Sequence, residues 1–274
     1  MAVSTALRRT AAAIVAVGLV GAVAVVGVNV LRRHTTPPPS CSVSASADPG
    51  SVSYTLDVDQ AANSATIAAV GKRLGLPDHA VTVALAAALQ ESKLHNLPYG
   101  DRDSLGLFQQ RPSQGWGTSE QILTPSYAAA AFYRELKKVD NWETLSITDA
   151  AQKVQRSGAP TAYAKWETEA RTIAIALTGE TAAGLTCRFS LERSPEVAPS
   201  PAPSLGTELG ATLDASVTPP RGWMIASWLV SHAQQYRVTT VTYRGREWRA
   251  STGRWRDRAP TENRVRYLQQ APST

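Results

Sequence analysis

The segment 78–92 constrains the fold more than any other part of the chain, because apolar residues surround the whole circumference of the helix it predicts. It follows Pro77, which suits a helix start, and it contains the run VTVALAAALQ. A helix that is apolar on all sides must be covered by neighbouring elements to be stable in water. The sequence therefore predicts a central helix over about Asp78–Ser92, enclosed by other helices.

Helical spacing of apolar residues predicts the helices that enclose it. Ile67, Val70 and Leu74 fall on one face of a helix that begins near Gln60. The stretch LPYGDRDSLGLFQQRPSQGWG, after the central helix, has no helical period and predicts a small loop or hairpin insertion. Residues 58–190 are therefore expected to form a mainly α domain. Three more of its helices are predicted over Thr124–Val139, Thr148–Gln155 and Thr161–Thr178.

An apolar run of transmembrane length occupies Ala11–Leu31. About 20 residues at 1.5 Å each cross the hydrocarbon layer, so residues 1–33 are predicted to be a cytoplasmic stub and a single-pass membrane anchor. The arginine pairs at 8–9 and 32–33 balance each other and do not orient the helix. A cleaved signal peptide is the alternative, although the run is long and no small-x-small site follows closely. Both interpretations place the following domains in the extracytoplasmic space, and the anchored form at the cell membrane.

The two cysteines, Cys41 and Cys187, stand before the α domain and near its end. Outside the cytoplasm they could form a disulfide that closes the ends of the domain, worth roughly 4–5 kcal/mol at most by loop entropy. Two unrelated buried thiols are the alternative. A zinc site would need clustered cysteine and histidine ligands, which the sequence lacks, so no metal is expected.

Proline-rich stretches divide the remaining chain. Residues 34–57 and 191–220 are predicted to be linkers; the first is rich in Pro, Ser and Ala and ends in a short extended stretch. Residues 221–258 combine a helical stripe with the strand-like segments VTTVTY and EWRASTGRW, and predict a small C-terminal α+β unit. Residues 259–274 are expected to be a disordered tail.

Glu91 stands at the C-terminal end of the apolar central helix. Desolvation and the negative potential of the helix terminus both disfavour a charged carboxylate there. These conditions suit a general acid that works near neutral pH. The alternative is a glutamate that marks the helix end and points to water.

Two motifs around Glu91 resemble those of lytic transglycosylases in the lysozyme superfamily. Gln90-Glu91-Ser92 is similar to the family's Glu-Ser motif, and SLGLFQQ (Ser104 to Gln110) to its Gly-Leu-Met-Gln motif, with Phe108 in place of Met. The longer run GDRDSLGLFQQRPSQGWGT is similar to a signature of actinobacterial membrane-anchored wall-associated proteins. The resemblance covers about Gln60–Gly179, and implies a lysozyme-like domain that acts on peptidoglycan without a cofactor.

The resemblance implies roles for individual residues. Glu91 matches the catalytic acid/base, Ser92 the serine that positions it, and Gln109 the glutamine at the cleft floor. Ser104 belongs to the same motif and is assigned with them to substrate binding. The family's third motif, Ala-Tyr-Asn, is altered to AAQKVQRSG here, where Gln155 would supply the amide on a longer arm.

Two aromatic residues are further candidates for the glycan cleft. Trp116 lies in a Gly-flanked loop, where its indole could stack on a sugar face. Tyr163 could match a cleft tyrosine of the family. It also falls on the inner stripe of the helix predicted over Thr161–Thr178, so a position in the core is equally open.

The reaction depends on whether a second carboxylate assists Glu91. Lytic transglycosylases use one Glu, whereas glycosidases commonly use two carboxyl groups. Asp101 and Asp103 follow the central helix, and could face the cleft or form a turn in YGDRDS. We therefore expect a lytic transglycosylase that cuts the MurNAc–GlcNAc bond with a single Glu. A muramidase with a second carboxylate, and a non-catalytic glycan-binding scaffold of wall synthesis, are the alternatives.

The C-terminal unit over 221–258 is strongly basic. It has eight arginines against Glu247 and Asp257, an excess of six that equals the net charge of the whole chain. With Trp248 and Trp255 interleaved, this composition suits an anionic polymer. Outside the membrane, wall carboxylates or phosphates are the expected partners rather than nucleic acid. A solvated arginine-rich face is the alternative.

Overall fold

A computed structural model describes residues 38–46, 50–192, 194–259 and 262–273. The mainly α architecture predicted from sequence is confirmed, since the described residues form eight α-helices and two small antiparallel sheets. The helices are α1 Val58–Arg73, α2 Asp78–Ser92, α3 Ser119–Ile122, α4 Pro125–Leu136, α5 Ile147–Gln155, α6 Glu167–Thr178, α7 Ala202–Leu209 and α8 Pro219–Ser231. The strands are β1 Ser40–Ser44, β2 Ser53–Leu56, β3 Leu185–Arg188, β4 Val238–Tyr243, β5 Arg246–Arg249, β6 Arg254–Asp257 and β7 Arg266–Gln269.

Helix α2 is the central helix that the sequence predicts. Every residue from Ala80 to Leu89 is buried, and the helix packs against α1, α4, α5 and α6. It begins after Pro77 and ends at Lys93, which adopts a left-handed conformation with φ 56°. Glu91 therefore lies in the last turn of a helix whose position is set on all sides.

The first sheet, in the order β2-β1-β3, ties the two ends of the α domain together. Cys41 and Cys187 are register partners on β1 and β3, and they form a disulfide, as predicted. The expectation of a linker over 34–57 is wrong for Ser40–Ser44, which is a strand, whereas the strand Ser53–Leu56 lies where that segment was expected to end in a short extended stretch. The alternating apolar residues of β1 are too few to stand out in a serine-rich stretch.

The second sheet, in the order β6-β5-β4-β7, forms the C-terminal α+β part together with α8. Strand β7 lies in the tail that was expected to be disordered over 259–274, and pairs antiparallel with β4. Both tryptophans face inward, because Trp248 Nε1 donates to the Cys187 carbonyl oxygen at 3.0 Å and Trp255 Nε1 to that of Leu185 at 2.9 Å. They therefore attach this sheet to β3, with Trp248 fully buried and Trp255 partly buried.

The sequence expectation of a separate C-terminal domain after a linker over 191–220 is wrong. Helix α7 forms within that stretch, and Leu205 and Leu209 are buried. Helix α7 packs on α1, while α8 packs on α1 and α6, and residues 39–274 form one compact unit. The helix was missed because the proline-rich composition outweighs the two leucines at helical spacing, which pack against α1.

Among the described residues, no helix combines the length and the apolar character needed to cross a bilayer. None of the eight helices is therefore the transmembrane helix that the sequence predicts. The segment on which that expectation rested, Ala11–Leu31, lies outside the described residues.

Candidate functional site

Glu91 and Tyr163 are brought together at the end of α2. The Tyr163 hydroxyl donates a hydrogen bond of 2.8 Å to Glu91 Oε1, and Glu91 is partly buried. Burial raises the pKa of Tyr163, so that its hydroxyl stays protonated and remains a donor. The side chain of Tyr163 is fully buried, as expected for a position in the core, while its hydroxyl reaches Glu91.

The end of α2 is fixed from two further sides. From α1, Gln60 Nε2 donates to the Lys93 carbonyl oxygen at 2.9 Å, and Asn63 Nδ2 donates to that of Leu94 at 2.8 Å. On the other side, the Ser92 hydroxyl donates a hydrogen bond of 2.7 Å to the Leu107 carbonyl oxygen. These contacts hold the chain that follows Glu91, from Ser92 to Leu94.

Ser92 was assigned to substrate binding, and the structure corrects that assignment. Its hydroxyl is directed to the Leu107 and Ala88 carbonyl oxygens, at 2.7 and 3.1 Å, and the residue is only 5% exposed. A buried hydroxyl with two protein acceptors cannot contact a glycan. Ser92 instead attaches the SLGLFQQ segment to the helix that carries Glu91.

The SLGLFQQ segment forms a tight hairpin, in line with the predicted insertion. Leu105 and Gln110 form an isolated antiparallel bridge around it. Gly106 has φ +74°, and a Cβ there would lie 2.7 Å from the Ile122 carbonyl oxygen, so that only glycine fits. Ser104, at the base, is 8% exposed and its amide closes a turn onto the Asp101 carbonyl oxygen at 3.0 Å. It too is a component of the loop rather than a contact surface.

Gln109 is held within the same hairpin. It adopts a left-handed conformation with φ 47°, and its Nε2 donates to the carbonyl oxygens of Gly106 and Tyr99 at 3.2 and 3.3 Å. A Cβ on Gly100 would lie 1.8 Å from Gln109 Oε1, so the glycine in YGDRDS makes room for this amide. The side chain is partly buried, and it braces the loop that follows the candidate acid.

Both carboxylate oxygens of Asp103, a candidate second carboxylate, accept hydrogen bonds from the loop. Ser113 N donates to its Oδ2 at 2.8 Å, and Arg111 Nε to its Oδ1 at 2.6 Å. These hydrogen bonds, first those from Ser113 and then that from Arg111, hold the pKa of Asp103 well below its usual range. Asp101 is open to solvent, with 93% of its side chain exposed and Arg102 as a distant ion-pair partner at 3.9 Å. The turn-forming interpretation therefore fits both aspartates better than a catalytic one.

Gln155 and Trp116 are brought together at a cleft on the other side of the hairpin. Gln155 ends α5, and its Nε2 donates to the Phe108 carbonyl oxygen at 2.9 Å. Together with Trp116 it lines a cleft of about 580 Å³. The amide nitrogen of Gln155 is thus engaged with the protein, while Trp116 is partly exposed as predicted for a stacking surface.

Trp166 lies beside the end of α2 and is not among the site residues that the sequence predicts. Its Nε1 donates to Gln90 Oε1 at 2.9 Å, and the ammonium groups of Lys93 and Lys165 lie 4.3 and 5.3 Å from its ring centroid. Burial, and then the charge of Lys165, lower the pKa of Lys93, and the charge of Glu91 opposes this shift. The segment AYAKWE, which holds two aromatic residues and one lysine, was the signal available in the sequence.

No group of three or more histidine, cysteine, aspartate or glutamate side chains that could hold a metal ion occurs in the described part of the chain. Comparison with models of known protein families and with curated proteins finds no match for this chain. The chemistry of the site must therefore be argued from its own residues.

Proposed function

We propose that this protein is an extracytoplasmic enzyme that cleaves peptidoglycan glycan strands, and that it is a lytic transglycosylase with Glu91 as its single acid/base. The observation that carries this proposal is the hydrogen bond from Tyr163 to Glu91 Oε1. A glutamate that only marked a helix end would have no need of a buried tyrosine fixed to one of its oxygens.

The reaction follows from the two oxygens of Glu91. With Tyr163 bound to Oε1, Oε2 carries the proton and delivers it to the oxygen of the MurNAc–GlcNAc bond, which breaks. The resulting carboxylate then accepts the proton of the muramic 6-hydroxyl, whose oxygen attacks C1 and closes an anhydro ring. Glu91 is reprotonated in this second step, so no water and no second carboxylate are consumed.

The placement of the motif residues supports a lysozyme-like fold for the α domain. Ser92, next to Glu91, is bound to Leu107 of the hairpin, and Gln155 of α5 is bound to Phe108 of the same hairpin. The three sequence motifs of the resemblance thus meet around one buried helix, α2. This arrangement is the one expected if the family's cleft lies between the hairpin and the end of α2.

The alternatives are less well supported. A muramidase needs a second carboxylate, but both Asp103 oxygens are occupied and Asp101 is directed to solvent. A non-catalytic glycan-binding scaffold gives no reason for the Tyr163–Glu91 contact. The single-Glu reaction therefore stands as the proposal.

The disulfide and the arginines of the second sheet bear on location and partners. A disulfide between Cys41 and Cys187 suits an oxidising compartment outside the cytoplasm. On the edge strand β6, Arg254 and Arg256 are exposed, and they could contact the anionic polymers of a cell wall. With both tryptophans turned inward, such contacts would be electrostatic and sensitive to salt.

The proposal is tested by incubating the full chain with purified peptidoglycan and identifying the soluble products by mass spectrometry. Products that end in anhydromuramic acid are expected. Products with reducing ends would instead indicate the muramidase. If the folded protein releases no fragments, both enzymatic assignments fail.

A further inference from the structure

A basic cleft lies between the C-terminal ends of α4 and α5 and the loop that follows Gly115. Its volume is about 580 Å³, enough for several sugar or amino-acid units. Ala131, Val139 and Val154 give it an apolar floor, and Trp116 stands at one side. We name it the α4–α5 cleft.

The side chains that line the α4–α5 cleft are strongly unbalanced in charge. Four are cations, and the only carboxylate among them is Glu135, which leaves an excess of +3; the cations are Arg134, Lys138, Lys153 and Arg156. Two helix C-termini contribute about −0.5 each, so roughly +2 remains uncompensated. Helix capping alone therefore does not explain so many cations at this place.

Two of the four cations are free to bind a ligand. Lys138 pairs with Glu135 at 2.7 Å, and Arg134 lies over the Tyr127 ring at 5.6 Å. Lys153 and Arg156 are exposed, and among the described residues neither has a carboxylate within 4.0 Å. A positive cleft with two uncommitted cations attracts an anionic group.

The α4–α5 cleft is joined to the candidate acid through a short chain of contacts. Gln155, which lines the cleft, donates to the Phe108 carbonyl oxygen of the hairpin at 2.9 Å. The next carbonyl oxygen of the hairpin, that of Leu107, is bound at 2.7 Å by the hydroxyl of Ser92, the residue after Glu91. A polymer held with its glycan at Glu91 would thus extend a side branch towards the cleft.

We propose that the α4–α5 cleft binds the acidic peptide branch of the glycan strand through Lys153 and Arg156. The inference rests on the proposed function for the nature of the polymer. The branch leaves the muramic lactyl group and carries free carboxylates, which match the guanidinium and ammonium groups. The apolar floor and Trp116 would contact its alkyl groups. The enzyme would then prefer strands that carry peptides over stripped strands.

Direct binding tests the cleft independently of cleavage. The probe is N-acetylmuramyl-alanyl-glutamate, which has no glycosidic bond to cut, and its matched control is the same compound with both carboxyl groups amidated. Calorimetry with the full chain should give a Kd about tenfold lower for the free acid. The double variant Lys153→Gln/Arg156→Gln should lose this difference, whereas Lys137→Gln, an exposed lysine outside the cleft, should keep it.

Equal Kd values for the acid and the amide, or a preference retained by the double variant, would overturn the proposal. A melting temperature close to that of the wild type shows that the double variant is folded. With intact and peptide-stripped strands as substrates, the ratio of their kcat/KM values should fall towards one in the double variant. If no strand is cleaved but the acid is still preferred, the proposed reaction fails while the binding site stands.

Discussion

The Tyr163 hydroxyl donates to Glu91 Oε1 at 2.8 Å, across 72 residues of sequence. Hydrogen bonds to charged groups contribute about 1.5–3 kcal/mol, so Tyr163→Phe should lower kcat about 10- to 100-fold with little change in KM. Steady-state assays on peptidoglycan measure both. The control is Tyr133→Phe, since Tyr133 is also buried and donates to the Ile67 carbonyl oxygen at 3.0 Å. It should lose stability only. An equal loss of activity in both variants would show that Tyr163 affects catalysis only by stabilising the fold.

The hydrogen bond between Ser92 and the Leu107 carbonyl oxygen is expected to stabilise the hairpin. Ser92→Ala leaves that buried acceptor without its donor, which should lower the free energy of unfolding by about 1–3 kcal/mol. Urea unfolding measures the change. The affinity for glycan should change little, because the hydroxyl does not face the cleft. A large increase in KM without a loss of stability would show that Ser92 contacts the substrate.

Substitutions of the two aspartates after α2 are expected to differ in their effect on stability. Asp103→Asn should keep most of the activity but melt at a lower temperature near neutral pH, because Ser113 and Arg111 favour the ionised form. The pKa of Asp103 is lowered on folding, so its stabilising effect is present above its ordinary value of 3.8 and fades as the pH falls below it. Asp101→Asn is the exposed control and should change neither property. Loss of cleavage in that control would favour the muramidase.

The disulfide between Cys41 and Cys187 closes a loop with a sequence separation of 146 residues. Replacing both cysteines with alanine should lower the free energy of unfolding by up to about 4–5 kcal/mol, chiefly because the unfolded chain gains freedom. Urea unfolding with and without a reducing agent measures the effect. The double variant should not respond to the reducing agent. If the reducing agent does not lower the free energy of unfolding of the wild-type protein either, the account is contradicted.

His232 is buried where α8 meets α1 and should make stability depend on pH. Its Nε2 lies 3.3 Å from Thr66 Oγ1, which donates to Glu208 Oε2 at 2.9 Å, and its ring stacks on Trp228. Desolvation lowers the pKa of His232 below 6.5, against the opposing effect of Glu208. The unfolded chain then binds a proton that the folded chain does not, so stability falls as the pH drops below about 6.5.

The variant His232→Asn tests this buried contact. It should be less stable than the wild type at about pH 7.5, and the difference should shrink towards about pH 5, where the wild type loses its advantage. Urea unfolding at both pH values gives the comparison. A difference in stability that is the same at both would show that His232 does not titrate on unfolding.

The local features of the fold could be predicted because they depend on neighbouring residues. Helix α2 was predicted within its observed bounds, since an apolar run after proline specifies both its start and its burial. The hairpin was found from the loss of helical period around Gly106. Helix α6 begins at Glu167 rather than Thr161, because residues 164–166 form a 3-10 turn. That turn starts at Tyr163, whose hydroxyl reaches Glu91.

The features that escaped prediction depend on distant packing. Helix α7 has only Leu205 and Leu209 to bury, and their partner surface on α1 is far away in sequence. Strand β7 is short, and is stabilised by β4 rather than by its own composition. In the site, the roles of Ser92 and Asp103 depend on hydrogen bonds with Leu107, Arg111 and Ser113, and the spacing of the motifs does not specify these pairings.

The central claim is that Glu91 is the acid/base, and Glu91→Gln tests it most directly. Glutamine keeps the shape and can accept from Tyr163, but it cannot deliver a proton. Release of fragments from peptidoglycan should fall by at least about 100-fold, while the melting temperature changes by less than about 4 °C. The matched control is Glu169→Gln, a partly buried glutamate on α6 that should remain active. Activity retained in Glu91→Gln, or lost together with the fold, would contradict the account.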